Sequence, residues 1–227
     1  MNGVEKAKKV AATRAIEFVK DGMVVGLGTG STMSYALKEL GRKIKEEDLE
    51  IIGIPTSKNT EKLAKSLNIP LGTLDDYDRV DIAIDGADEV NLDNFYLIKG
   101  RGGALTREKI IDYNARKFIV IADERKIVKQ LGEKSPIPVE VLPFAAKFLL
   151  RKLKKEFENA NLRKSDSKVF VTDNRCYIID IKARISEPKE MEVYLNNIPG
   201  VIENGIFTKN VAMIIIGYPD GSLKIIR

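Results

Sequence analysis

Four short apolar runs, at residues 23–27, 49–54, 80–84 and 118–122, recur through the first half of the chain, each separated from the next by a segment with helical spacing. Runs of this length suit strands buried on both faces better than buried helices. Strands that alternate with helices pair in parallel, because each crossover returns the chain to the same end of the sheet. The pattern predicts an α/β fold with a doubly wound, mostly parallel sheet. Helices are expected over 4–19, 33–44, 57–67 and 106–114, and a further short strand over 70–74. Ser31 or Thr32 is suited to cap the second helix.

Beyond about residue 129 the pattern changes to strand 137–142, helix 144–157, strands 168–172 and 176–181, helix 188–196 and strand 201–206. That β-α-β-β-α-β order is the signature of a split βαβ unit. It predicts a small inserted α+β ferredoxin-like domain at 132–206, with the larger α/β domain made of 1–131 and 207–227. A last hairpin, 211–218 and 223–226 around Pro219-Asp220-Gly221, is expected to return to the larger domain.

Composition narrows the chemistry. With 227 residues and 44% hydrophobic, the chain can bury a core. It contains no histidine. That removes the commonest general base, the commonest metal ligand and every Ser-His or Cys-His nucleophile, so proton transfer falls to Asp, Glu, Lys or Tyr. The single cysteine, Cys176, cannot form an intrachain disulfide and is read as a packing residue, which favours a reducing cytoplasm. Residues 1–10 lack the apolar core of a leader, and no apolar run is long enough to cross a bilayer, so no membrane role is expected. The net charge of +5 comes from lysines interleaved with acids, as in Lys45-Glu46-Glu47, and not from a basic stripe with aromatics, so no nucleic-acid partner is expected. Abundant Lys and Glu also suits a thermophile's surface.

Two stretches carry candidate site residues. Gly26 to Thr32, G-L-G-T-G-S-T, joins the first strand to the second helix, the order that cradles phosphate. A dinucleotide fingerprint would need Gly or Ala in place of Ser31 and an acid after the second strand, where Pro55-Thr56-Ser57 stands. A methyltransferase-like loop would need an acid in place of Val24. A simple phosphate nest survives: backbone N–H groups, the Ser31 and Thr32 hydroxyls and a helix N-terminus. A tight turn with an ordinary cap is the bland alternative. The second stretch, Asp85 to Glu108, sets Asp85, Asp88, Lys99, Gly100-Arg101-Gly102-Gly103 and Glu108 beyond an apolar strand. Taken singly these are turn formers, solvated charge and a helix-dipole partner. Their conjunction at strand ends of one sheet is what a small-molecule site requires.

G-L-G-T-G-S-T, D-G-A-D-E and K-G-R-G-G-A-L-T-R-E-K-I closely resemble the three motifs of the ribose-5-phosphate isomerase type A family. The resemblance continues through Ala122-Asp123-Glu124-Arg125-Lys126 and Pro138-Val139-Glu140-Val141 and covers nearly the whole chain. It implies interconversion of ribose 5-phosphate and ribulose 5-phosphate through an enediolate, in pentose phosphate metabolism. It further implies Glu108 as general base, Lys99 as the cation meeting the oxyanion, Asp85 as the group assisting ring opening, and Asp88 as the one orienting hydroxyls. Thr29, Gly30, Ser31 and Thr32 would hold the phosphate or terminal hydroxyls. Gly86, Ala87, Gly100, Arg101 and Gly102 would line the sugar, and Lys8 and Lys126 would add positive charge. Arg101 departs from the family, many of whose members have another glycine there. No metal and no cofactor are expected; the partner is a sugar phosphate, and the assembly a homodimer or homotetramer. Two rivals stand beside this reading: a sugar-phosphate-sensing domain, and a coenzyme A transferase-like enzyme with a glutamate nucleophile. Exchange of the carbon 2 proton with solvent, without coenzyme A, separates all three.

Overall fold

A computed structural model describes residues 2–227; Met1, the first residue of the segment read for a leader, lies outside them. The chain forms two compact units, one from residues up to 87, 107–126 and 209–227, the other from 88–106 and 127–208.

The first unit contains strands β1 (Met23–Leu27), β2 (Ile51–Pro55), β3 (Ile82–Gly86), β4 (Phe118–Asp123), β5 (Val211–Gly217) and β6 (Leu223–Ile226), with helices α1 (Gly3–Ile16), α2 (Ser31–Glu46), α3 (Lys58–Ser66) and α4 (Leu105–Asn114). The strand order is β6-β5-β4-β3-β1-β2. All neighbours are parallel except the edge strand β6, which closes the expected hairpin. The apolar runs pack as their composition requires: Val25, Leu27, Ile84, Ile119, Ile121 and Ile215 form a core with Met33, Leu37 and Leu40 of α2 and the alanines of α1. Gly217 lets α1 lie close to the sheet, since a Cβ there would stand 2.0 Å from the Ala7 carbonyl oxygen. The strand expected over 70–74 is reduced to one bridge, Gly53 to Leu71. Helix α1 stops at Ile16, where the Phe18 and Val19 N–H groups turn back to Ala15 and Ile16.

The second unit holds an antiparallel sheet in the order Val201–Asn204, Ile137–Val141, Tyr177–Ile181, Ala160–Leu162, covered by helices α5 (Ala146–Glu156) and α6 (Pro188–Asn196). In chain order this is fourth, first, third, second, a ferredoxin-like arrangement. Its second strand is Ala160–Leu162, whose buried Ala160 pairs with Ile181. The expected strand 168–172 contributes only Lys168–Val169, in a small hairpin with Lys164–Ser165. Val171 is more than half exposed there, so this β-like run serves surface and not core. Helix α5 begins two residues later than expected, because a 3-10 turn at Pro143–Ala145 precedes it.

Residues 88–106, which the expected division kept with the larger domain, pack with the second unit. Their strands Glu89–Val90 and Leu97–Ile98 pair with each other and with Ile206–Phe207 in a three-stranded antiparallel sheet, which satisfies their backbone outside the parallel sheet. Among the described residues, no helix is long and apolar enough to cross a membrane.

Candidate active site

In the first unit the Gly28–Thr32 loop, Asp85 and Gly86 gather where β1 and β3 end. The loop after β1 is pinned from two sides. The Gly28 N–H donates to the Ile84 carbonyl at 3.0 Å, and the Thr56 N–H donates to the Leu27 carbonyl at 2.9 Å. Asp85, the penultimate residue of β3, is fully buried. Its Oδ1 accepts from the Thr29 N–H at 3.0 Å and from its neighbour Gly86 at 2.6 Å. Two backbone donors on one carboxylate oxygen fix the carboxylate plane against the loop.

The glycines of this loop are each required. A Cβ on Gly28 would lie 2.1 Å from the Asp85 carboxyl group. Gly30, with φ +122 and ψ 177, occupies a region that only glycine enters without strain. Gly30 is also the N-cap of α2, and no side chain caps that helix. The expectation that Ser31 or Thr32 would be the cap is corrected. The left-handed backbone at Gly30 starts the helix two residues earlier than expected, so Ser31 and Thr32 are its first two residues. Ser31 is exposed and Thr32 half-buried, and neither hydroxyl is used as a cap.

Gly28→Ala is expected to destabilise the protein by about 1–3 kcal/mol, the usual cost of overpacking, because the Asp85 side chain is held and cannot swing aside. Urea unfolding checks this, and a change within error of zero would show that the loop yields.

Glu108 lies in the first turn of α4 and is 3% exposed. There the helix dipole favours the carboxylate form of a group otherwise costly to bury. Lys8, in α1, is ion-paired with Glu5 Oε1 at 2.9 Å. Glu5 also accepts from the Tyr35 hydroxyl, and these two partners hold its carboxyl below the ordinary carboxylate range. Lys126 ends the 3-10 turn that follows β4. Burial alone would push the carboxyl of Asp123 up, but the Arg125 guanidinium, with Oδ1 at 2.7 Å, and then Lys126 bring it below the ordinary value.

The second unit carries Asp88, Lys99 and the Gly100–Gly103 turn. The chain passes into it between Ala87 and Asp88 and leaves between Thr106 and Arg107. The expectation that every group follows strands of one parallel sheet is therefore corrected: Lys99 follows the antiparallel strand Leu97–Ile98. Its N–H donates to the Gly205 carbonyl at 2.9 Å, and its ammonium sits 5.4 Å from the centroid of the Phe207 ring. At 2% exposure it is among the largest fully buried side chains, an unusual place for a lysine. Asp88 Oδ2 accepts from the Arg101 N–H at 2.8 Å, while the Asp88 N–H donates to the Ile98 carbonyl at 2.7 Å. Asp88 thus braces the turn in which Arg101 and Gly102 are exposed.

Several residues of these surroundings were not singled out in the sequence. Arg163 donates from Nη1 to the carbonyls of Gly100 at 2.9 Å and Arg101 at 3.0 Å, and its other nitrogens grip Asp180. Glu89, fully buried, accepts from the N–H groups of Gly132, Lys134 and Ser135. Thr56, Ser57 and Thr60 surround the Thr29 hydroxyl. Of these only the last left a trace in sequence, Ser57-x-x-Thr60 directly after an apolar run, which is also a helix-start pattern.

A cavity of about 550 Å³ borders this region through Ser57 and Arg107, with Ile54, Leu71 and Ile111 in its walls. None of the predicted catalytic residues lines it. Among the described residues, no cluster of three or more His, Cys, Asp or Glu side chains could hold a metal ion. Cys176 is buried, and burial pushes its thiol up.

Residues 52–221 match the family described as Ribose 5-phosphate isomerase A (phosphoriboisomerase A). The chain is 52% identical over 219 residues to the Ribose-5-phosphate isomerase A of Methanocaldococcus jannaschii, covering 96% of each chain. It is 49% identical over 228 residues to that of Pyrococcus horikoshii, covering 99% of each. A solved D-ribose-5-phosphate isomerase in complex with phospho-erythronic acid superposes with a TM-score of 0.93, at 48% identity and 99% coverage of both chains. The glycine loop that holds a buried aspartate, the buried lysine and the helix-borne glutamate thus stand in a member of the ribose 5-phosphate isomerase A family.

Proposed function

We propose that the protein interconverts ribose 5-phosphate and ribulose 5-phosphate as an aldose-ketose isomerase in pentose phosphate metabolism, with Glu108 as the base. Moving a proton between adjacent sugar carbons needs one carboxylate that takes it from carbon 2 and returns it to carbon 1. With no histidine in the chain, a buried glutamate on a helix N-terminus suits that task. Charge then develops on the carbonyl oxygen and must be met by a cation, the role assigned to Lys99. Asp85 moves a hydroxyl proton to open the sugar ring, and Asp88 orients hydroxyls. Thr29 to Thr32 take the phosphate, with Gly86, Ala87 and the Gly100–Gly102 turn along the sugar. Lys8 and Lys126 supplement the positive charge.

The observation that carries this reading is the direct bond from the phosphate-loop candidate to Asp85, Thr29 N–H to Oδ1 at 3.0 Å. It joins a group suited to the non-reacting end of a substrate to one suited to its chemistry. Solvent exchange tests the reaction. Incubation of ribose 5-phosphate in deuterated buffer without coenzyme A should give ribulose 5-phosphate and exchange at carbon 2; absence of both would remove the assignment. We place the enzyme in the cytoplasm as a homodimer or homotetramer, which sedimentation of the purified protein decides for the assembly.

Two further outcomes are expected. Activity should survive exhaustive chelation, since Lys99 supplies charge that a metal would otherwise bring; a strict Mg²⁺ requirement would recast Asp85 and Asp88 as ligands. Ser31→Ala should raise KM more than it lowers kcat, because contacts to the phosphate are made equally in ground and transition states. As Ser31 does not cap α2, the substitution should leave stability nearly unchanged. With unphosphorylated ribose its effect should be much smaller, and an equal cost with both sugars would show that this loop does not hold phosphate.

A further inference from the structure

Three buried hydroxyls behind the glycine loop have no part in the proposed chemistry. Thr56 is fully buried, Ser57 5% exposed and Thr60 4% exposed; they lie at the end of β2 and the start of α3. The Thr29 hydroxyl is 2.7 Å from that of Thr56, 2.8 Å from that of Ser57 and 3.1 Å from that of Thr60. Ser57 and Thr60 hydroxyls are 3.0 Å apart, and Thr60 donates to the Gly28 carbonyl at 2.9 Å.

Each hydroxyl has a single proton, so the direction of the chain can be worked out. Thr60 spends its proton on Gly28, Ser57 gives its own to Thr60, and Thr29 gives its own to Ser57. Thr56 is then the donor to Thr29. Every proton is used once, and the run ends on a backbone carbonyl, an arrangement in which successive bonds reinforce one another. The peptide between Gly28 and Thr29 is thereby held at its carbonyl and through the Thr29 side chain. Its N–H is the group that holds Asp85 Oδ1.

We propose that Thr56, Ser57 and Thr60 are positioning residues for Asp85, acting through the Gly28–Thr29 peptide. The proposal rests on the reading of Asp85 as the ring-opening group. Loss of one link lets the peptide shift, and Asp85 then loses its alignment with the ring hydroxyl, while the base at Glu108 is untouched.

Ribulose 5-phosphate separates these steps. Its carbon 5 oxygen carries the phosphate, so it has no five-membered ring, and exchange of its carbon 1 proton requires Glu108 and Lys99 but no ring step. Turnover of cyclic ribose 5-phosphate requires ring opening as well. The experiment compares deuterium incorporated at carbon 1 of ribulose 5-phosphate in deuterated buffer with net conversion of cyclic ribose 5-phosphate to ribulose 5-phosphate. For Thr60→Val, which keeps the shape and removes the donor, the ratio of exchange to net conversion should rise about fivefold, the factor that one ordinary hydrogen bond represents. Thr60→Ser should restore it. A merely structural role lowers both rates together and leaves the ratio alone. Asp85→Asn is the reference. If it raises the ratio while Thr60→Val and Ser57→Ala do not, the positioning role is overturned. If Asp85→Asn itself leaves the ratio unchanged, the ring-opening reading fails and the proposal falls with it. Should Thr60→Val not fold, Ser57→Ala, which breaks the middle of the chain, decides alone.

Discussion

Glu108→Gln is expected to lower kcat by about 10²- to 10⁴-fold, the usual value of a general base, and by more where no second base is available. The amide keeps the size and most of the hydrogen-bonding shape of the carboxylate and removes its basicity. Glu108 lies in the first turn of α4 and is nearly buried, so neutralising it forfeits a dipole interaction of about 0.3–1 kcal/mol, too little to unfold a protein of this size. Lost turnover would therefore report chemistry. Titration calorimetry with ribose 5-phosphate should show affinity within a few-fold of the unaltered protein. Near-normal turnover by Glu108→Gln would require another base and overturn the central assignment.

Lys99→Ala should show the opposite kinetic signature to Ser31→Ala: kcat lower by about 10²- to 10³-fold, with KM little changed. The charge of Lys99 is matched to an oxyanion that exists only during reaction, so its removal is felt in the transition state. Because Lys99 is 2% exposed and large, the alanine also leaves a cavity, and stability should fall with activity. Lys99→Met separates the two effects. It fills most of the volume and removes the charge, so it should be as inactive as the alanine variant and distinctly more stable. If Lys99→Met retains most of the turnover, the ammonium is there for packing against Phe207 and its neighbours.

How much of this was legible in the sequence differs between elements for physical reasons. The parallel strands were readable because a strand buried on both faces must be apolar along most of its length, as β1 is throughout and as β3 and β4 are up to Asp85 and Asp123 at their carboxyl ends. The run 168–172, Lys-Val-Phe-Val-Thr, has the β-branched and aromatic centre of a strand, yet Val171 faces solvent and the sheet takes Ala160–Leu162 instead. A five-residue window records propensity and contains no information on which neighbour is available to pair. Glycine carried more. Gly28 and Gly30 were expected at a tight loop, and both are required there, one by the approach of Asp85 and one by its backbone angles.

The order in which the chain presents its candidate groups was determined by the sequence alone: a histidine-free chain leaves proton transfer to Asp, Glu, Lys or Tyr, and the resemblance of its motifs to the ribose-5-phosphate isomerase type A family is what singles out Asp85, Glu108 and Lys99 among them. Tertiary structure decided what holds each of them. The bond from Thr29 to Asp85 spans 56 residues, the hydroxyl chain from Thr29 to Thr60 spans 31, and the grip of Arg163 on Gly100 spans 63. Partners that far apart leave no periodicity to read, because such bonds form only once packing has placed the strand ends side by side. The same holds for residues 88–106, whose pairing with Ile206–Phe207 is a contact between the two ends of the second unit. Local pattern fixes which face of an element is apolar; only the closed fold decides which polar groups meet behind it.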